Sequence, residues 1–232
     1  MKSILFLLAS LPTLLIAQGE RSSKEPLLRF AYVGVSENKL EYVLSVGMNR
    51  SKPFVIPNNE FSVPVSPPRG ADPLMVGKEN EDAFQGLATI TIPDAGDRFL
   101  VLLFPEEKNT LRAVVIRADD PTFLPGHIMI FNIANQPLTA ELGEEKFTFT
   151  PDSQTLFRPT KKGDLANYQI RFYQEKEGKT KLFAASLWPY FDDKRVFVIL
   201  YMDATSGSPR YRSIDEFTSW TKPDAEAVEA TP

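Results

Sequence analysis

Apolar residues recur at every second position or in short solid runs along most of this chain, and no long stretch repeats with the 3.6-residue period of a helix. Residues 87–92, 98–104 and 111–117 are the clearest examples, and the turn-forming segments 93–97 and 105–109 separate them. Successive side chains of a strand point to opposite faces, so this pattern predicts strands that bury one face or both. We therefore expect an all-β protein.

A joint between two halves is predicted where Asp119-Asp120-Pro121 and Pro125-Gly126 interrupt the strand pattern. Beyond it, seven short strands are expected between residues 127 and 202, and glycine is available for the turns at 143–145 and 177–179. This number and spacing of strands is typical of an immunoglobulin-like antiparallel β-sandwich.

The first half has a similar number of predicted strands, so we expect two packed immunoglobulin-like β-sandwiches, residues 26–120 and 121–217. The alternative is one larger composite sandwich that shares strands across the joint. No internal repeat is exact enough to be identified. The opening of the second half, with residues 128–132 and then 147–151, resembles exported bacterial β-sandwich modules of immunoglobulin type. That resemblance implies a fold and no site.

Three further segments are predicted from their composition. Residues 67–82 are rich in proline, glycine and charge, which favours a long loop. Residues 214–217 fit either the end of the strand region or a helical turn. Residues 218–232 are polar and rich in alanine and glutamate, so we expect a disordered tail.

The first 17 residues have the pattern of a secretory signal peptide. Lys2 gives a positive start, residues 4–16 are almost entirely apolar, and the small Ala17 precedes a polar segment. The apolar run is shorter than the roughly 20 residues that a membrane-spanning helix needs, and Pro12 interrupts it. We expect cleavage near Ala17, a secreted or periplasmic protein, and no stable membrane anchor.

Charge and cysteine content exclude several classes of function. The formal net charge is −4, and a nucleic-acid-binding protein needs a basic surface, so no nucleic-acid partner is expected. The chain contains no cysteine, which excludes thiol catalysis and disulfides. An exported protein without cysteine is more typical of a bacterial envelope than of an animal secreted domain.

No catalytic or cofactor motif is recognised. His127 is the only histidine, no Gly-x-Ser-x-Gly motif is present, and we interpret His127 as a half-buried residue at a strand end. A single histidine also argues against a histidine-rich zinc site, and we predict no catalytic residue, metal or cofactor. The acidic pairs Asp119-Asp120 and Asp192-Asp193 lie in predicted turns, where solvated side chains are the simpler explanation.

The candidate ligand-binding residues are Trp188, Tyr190 and Phe191, which stand at a predicted hairpin end. Exposed rings at such a position could stack on a sugar or contact another protein. The competing interpretation places Trp188 in the core, because it continues the alternation of Leu182, Ala184 and Ser186.

Three functions are compatible with these observations. The first is an exported, non-enzymatic structural or protein-binding protein of the bacterial cell envelope, with an envelope protein or polysaccharide as its partner. The second is a carbohydrate-binding module using exposed aromatics, and the third is a carboxylate-dependent glycoside hydrolase. The first is favoured because folding and export account for every strong feature of the sequence.

Overall fold

The computed structural model describes residues 25–34, 40–57, 59–80, 83–106, 109–161, 166–203 and 206–217. Within these ranges the chain forms strands and turns and no α-helix. The predicted signal peptide (1–17) and tail (218–232) lie outside the described residues. The strands are β1 (Leu27–Tyr32), β2 (Leu40–Val46), β3 (Asn49–Arg50), β4 (Phe54–Ile56), β5 (Leu74–Asn80), β6 (Ala83–Ile90), β7 (Arg98–Pro105), β8 (Leu111–Arg117), β9 (Ile128–Asn132), β10 (Leu138–Leu142), β11 (Glu145–Phe149), β12 (Ser153–Phe157), β13 (Asn167–Lys176), β14 (Lys179–Pro189), β15 (Lys194–Met202) and β16 (Pro209–Phe217).

The first eight strands form two sheets that pack face to face. One sheet has the order β1-β7-β8, and the other has the order β3-β2-β5-β6, with β4 also paired to β2. The alternation of β7 explains the packing, because Phe99, Val101 and Leu103 point into the core between these sheets. Phe30 and Leu44 complete the centre of that core.

The last eight strands form a second pair of sheets with a core of their own. Their orders are β12-β9-β15-β16 and β11-β10-β13-β14. In β10, Leu138, Ala140 and Leu142 are buried in this core, whereas Thr139 and Glu141 point outward and are half-buried. The alternation therefore decides which face of the sheet is covered.

The chain is thus all-β, and its sheets pack as β-sandwiches, as the alternation predicted. Among the described strands, no sheet combines strands from before and after residues 119–126. Most pairs are antiparallel, but β1 pairs with β7 and β9 pairs with β15 in parallel. Parallel neighbours need a long crossover connection, and each of these pairs joins the first strand of its half to the seventh.

The two halves share the order of seven of their eight strands, and only the fourth differs, because β4 pairs with β2 whereas β12 pairs with β9. In both, the first strand lies parallel to the seventh, and the seventh is antiparallel to the eighth. Val65 forms a single antiparallel β-bridge to Leu28 of β1. This bridge takes the position beside β1 that strand β12 has beside β9. Even single hydrogen bonds correspond: Val33 N donates to Leu103 O, and Ile133 N donates to Leu200 O, both at 2.9 Å.

These registers match residues 98–103 with residues 195–200. Both segments begin with arginine and continue with five apolar residues. A repeat too divergent to identify in the sequence is therefore present as a repeated topology. In both halves this strand is buried on both faces, and a strand in that position needs a continuous run of apolar residues.

A third apolar cluster joins the two sandwiches. It lies between the outer face of the β1-β7-β8 sheet and the outer face of the β12-β9-β15-β16 sheet, so the molecule is a stack of four layers. The ring of Phe197 is central to it, with centroids 5.4 Å from Phe61 and 5.4 Å from Phe123. Leu100 and Leu102 contribute the second face of β7.

The structure corrects one prediction and decides another. The loop predicted over residues 67–82 is wrong, because Leu74–Asn80 is strand β5 and lies between β2 and β6. Leu74 and Val76 are the only residues of β5 in the hydrophobic core. The polar residues after them interrupt the alternation by which a strand is recognised in a sequence. Residues 214–217 end strand β16 and do not form a helical turn.

Candidate functional site

The three candidate aromatic residues lie close together at the end of β14 but in different surroundings. Trp188 is half-buried and packs against the second core, with its ring centroid 6.0 Å from that of Tyr211. The ring of Phe191 lies 3.8 Å from Lys194 Nζ, which is a cation–π contact. Tyr190 borders a pocket. The three rings therefore do not form one exposed planar row.

The pocket beside Tyr190 lies at one end of the second sandwich, and we call it the end pocket. Its volume is about 430 Å³. The hairpin tip at 142–145, residues 157–160 and the first residues of β13 (167–169) form the other walls. Two backbone bonds hold these segments in place: Gly143 N donates to Gln169 O at 2.8 Å, and Tyr190 N donates to Ala166 O at 3.1 Å.

Tyr168 and Tyr190 give the end pocket its most distinctive chemistry. Their ring centroids are 4.9 Å apart, and the Tyr190 hydroxyl donates to Thr160 O at 3.1 Å. Tyr168 is only 6% exposed, and its hydroxyl has no hydrogen-bond partner among the described residues. Burial, with the neighbouring Tyr190, raises the pKa of Tyr168, so its hydroxyl stays protonated.

Strand β14 is a second candidate site, because it is a long edge strand. It has 11 residues and, among the described strands, pairs with β13 alone. Leu182, Ala185 and Leu187 point away from the core, and Leu182 and Leu187 are 54% and 67% exposed. Exposed apolar residues on a free strand edge favour the addition of another strand.

A buried ion pair lies where the joint meets the two sandwiches. Arg195 is 1% exposed, and its Nε donates to Glu216 Oε2 at 2.7 Å. Its Nη1 donates to the carbonyl oxygens of Ala118 and Phe123 at 2.7 Å and 3.0 Å. Arg29 of β1 approaches the same carboxylate at 3.8 Å. These charges are occupied in holding the joint and the sandwiches together.

The remaining sequence candidates for catalysis make local contacts. His127 Nδ1 accepts a bond from Leu124 N at 3.1 Å, and burial is the main cause that lowers its pKa. Asp120 accepts bonds from the backbone N and the hydroxyl of Thr122, and these bonds lower the pKa of Asp120. Asp119 accepts a bond from Arg117 Nε at 2.8 Å.

The second acidic pair, Asp192 and Asp193, is exposed in the bend between β14 and β15. Within the described ranges, no group of three or more histidine, cysteine, aspartate or glutamate side chains could hold a metal ion. No helix in the same part of the chain is long and apolar enough to cross a bilayer.

Sequence reasoning identified Tyr190 but not Tyr168 or the walls at 142–145 and 157–160. The walls come from segments that are far apart in the chain, so no local spacing brings them together. The one available signal was the glycine at the hairpin tip, Gly143, whose φ of 63° marks the turn that forms one wall.

No known protein-family model matches this sequence, and no curated protein matches it.

Proposed function

We propose that this protein is an exported, non-enzymatic binding protein of the bacterial cell envelope, and that strand β14 pairs with an extended segment of a partner protein. Export is supported by the pattern of residues 1–17, with cleavage near Ala17 and a secreted or periplasmic product. The single observation that carries the binding role is the exposed apolar edge of β14.

The edge of β14 is bounded by residues that limit where a partner can pair. Lys179 and Lys181 lie at its start, and Pro189 ends it without a backbone donor. The uncharged stretch between them covers residues 182–188. Added strands gain main-chain hydrogen bonds, while alternate side chains give specificity, so the partner segment should be extended and apolar at every second residue.

Four of the other edge strands, β8, β11, β12 and β16, are better protected. Strands β11 and β12 have five residues each, and Glu145 and Lys146 place charge on β11. Strand β16 carries Arg210 and Arg212, and every residue of β8 is half-buried. Short length, charge and coverage are the usual means of preventing strand addition. Strand β14 lacks all three over residues 182–188.

The proposal is tested by capture of partners from an envelope extract, with the mature protein as bait. A charge on the exposed edge opposes strand addition, so Leu187→Lys should lower recovery of the partner about tenfold. Val63→Lys is the matched control, because Val63 is 70% exposed in the first half and lies far from β14 in the chain. Its recovery should equal that of the unmodified protein.

Hydrogen exchange on the purified complex provides the second measurement. Backbone amides of β14 should exchange more slowly in the complex, because strand addition gives them new hydrogen bonds. Equal recovery with Leu187→Lys, or slowed exchange that spares β14, would contradict the proposal.

Carbohydrate binding is the second candidate function, and a different observation favours it. Tyr190 borders a pocket together with two further aromatic rings, Phe157 and Tyr168. Aromatic rings with a few polar groups around a concave pocket are common in ligand sites. An array of envelope glycans, compared between the unmodified protein and Tyr190→Ala, tests it. Equal binding by both proteins would show that glycans do not bind in this pocket.

A further inference from the structure

The end pocket has the size and construction of a ligand site. Its volume of about 430 Å³ falls within the usual range for small-molecule pockets, roughly 300–1,000 Å³. Its walls come from four separate segments at the end of a sandwich, and β-strands anchor each of them. Sites built on such a scaffold keep their geometry when a ligand is bound.

Three aromatic rings line the apolar part of this pocket. The ring centroid of Tyr168 lies 5.9 Å from that of Phe157 and 4.9 Å from that of Tyr190. Neither of these two contacts is a parallel stack, since the ring planes are inclined by 58° and 47°. A ligand with apolar C–H faces can therefore contact more than one ring.

The charged residues that line the pocket are acidic. Asn167 and Gln169 provide amides, and Glu144 and Glu145 provide carboxylates. Among the described residues, no lysine or arginine lines the pocket. Amides and carboxylates accept bonds from hydroxyl or ammonium groups, and the carboxylates repel an anion.

The hydroxyl of Tyr168 is closed off from the pocket, because less than 1 Å² of its oxygen is accessible. It lacks a hydrogen bond among the described residues although the side chain is 94% buried, being 6% exposed. A ligand in the pocket therefore cannot hydrogen-bond to this hydroxyl unless the side chain moves.

We infer that the end pocket binds one ring of a neutral or amino sugar, with its C–H face on Tyr190. This inference deepens the second candidate function and is independent of β14. A sugar ring fits because it combines C–H faces with hydroxyls around its edge. A uronic acid or phosphorylated sugar does not fit, because Glu144 and Glu145 border the pocket.

The test is a calorimetric titration of the mature protein with three disaccharides: cellobiose, the glucosamine disaccharide and digalacturonic acid. We expect the neutral and aminated probes to bind with dissociation constants below about 1 mM, and the acidic probe to bind at least about tenfold more weakly. Absence of binding by all three, or equal binding of the acidic probe, would overturn the inference.

Three variants locate the binding. Tyr190→Ala should weaken the binding of cellobiose about tenfold, because one wall is lost. Tyr168→Phe should leave it unchanged, because the Tyr168 hydroxyl is not accessible from the pocket. Tyr173→Phe is the control, since its hydroxyl donates to Glu141 at 2.7 Å on the outer face of the sheet. If Tyr190→Ala still binds sugar as tightly as the unmodified protein, the protein binds carbohydrate but the end pocket is not the binding site. That result would contradict the inference.

Discussion

At the scale of single residues, the buried ion pair of Arg195 and Glu216 imposes the strictest local requirement. The variant Glu216→Gln keeps the shape of the side chain but leaves Arg195 without its counter-charge in a buried site. Breaking a buried pair in this way costs about 3–5 kcal/mol. We expect a loss of that order in the free energy of unfolding, measured by urea denaturation.

The exposed ion pair of Arg112 and Asp152 is the control for this prediction. Its atoms are also 2.7 Å apart, but the side chains are 38% and 69% exposed. Solvent and side-chain entropy reduce such a pair to less than about 1 kcal/mol, so Asp152→Asn should have little effect. Equal losses from both variants would show that burial does not govern the energy of these pairs.

The Tyr168 hydroxyl leads to the opposite prediction for stability. Because it is buried without a partner among the described residues, its removal in Tyr168→Phe should not destabilise the free protein. The expected change is a gain of about 1 kcal/mol in the free energy of unfolding, within the range for an unsatisfied buried group. A loss of more than about 1 kcal/mol would mean that the hydroxyl has a partner in the folded chain.

At the scale of elements, the missed strand β5 depends on a glycine. A Cβ at Gly77 would overlap the backbone oxygen of Gln85 and the ring of Phe84, which packs over this glycine, and Arg50 lies 4.4 Å above that ring. Gly77→Ala should therefore force the β5–β6 hairpin to shift and cost about 1–3 kcal/mol in thermal or urea unfolding.

Gly86 on the neighbouring strand provides a matched control. A Cβ at Gly86 would meet mainly the terminal methyl group of Met75, which can rotate away. Neither glycine has a positive φ, so backbone strain does not distinguish them. Gly86→Ala should change the free energy of unfolding by less than about 0.5 kcal/mol. Similar losses from both variants would contradict the role assigned to the contact of Phe84 with Gly77.

The same elements show what local sequence could and could not indicate. Strand β7 was predictable because a run of apolar residues from Phe99 to Phe104 suits a strand buried on both faces. Strand β5 was not predictable, because Gly77, Lys78 and Glu79 interrupt its alternation of apolar and polar residues. Its strand conformation depends on pairing with β2 and β6. The end pocket escaped prediction for a related reason, since pairing between distant strands assembles its walls.

At the scale of the whole molecule, the third apolar cluster makes the two sandwiches interdependent. The sheets that face each other across it, those of β7 and β15, bury apolar residues on both sides. A separated half would expose Leu100, Leu102 and Phe104, or Phe197 and Ile199, to water. The cost of exposing these residues links the unfolding of one half to that of the other.

This coupling predicts how a change in the second half affects the first. Phe197 packs between Phe61 and Phe123, so Phe197→Ala should cost about 3–5 kcal/mol. If the sandwiches unfold together, native-state hydrogen exchange in β2, on the far side of the first sandwich, should accelerate as much as exchange in β13. Unchanged exchange in β2 would show that each sandwich unfolds alone, and the cluster would then be a contact between two independently stable halves.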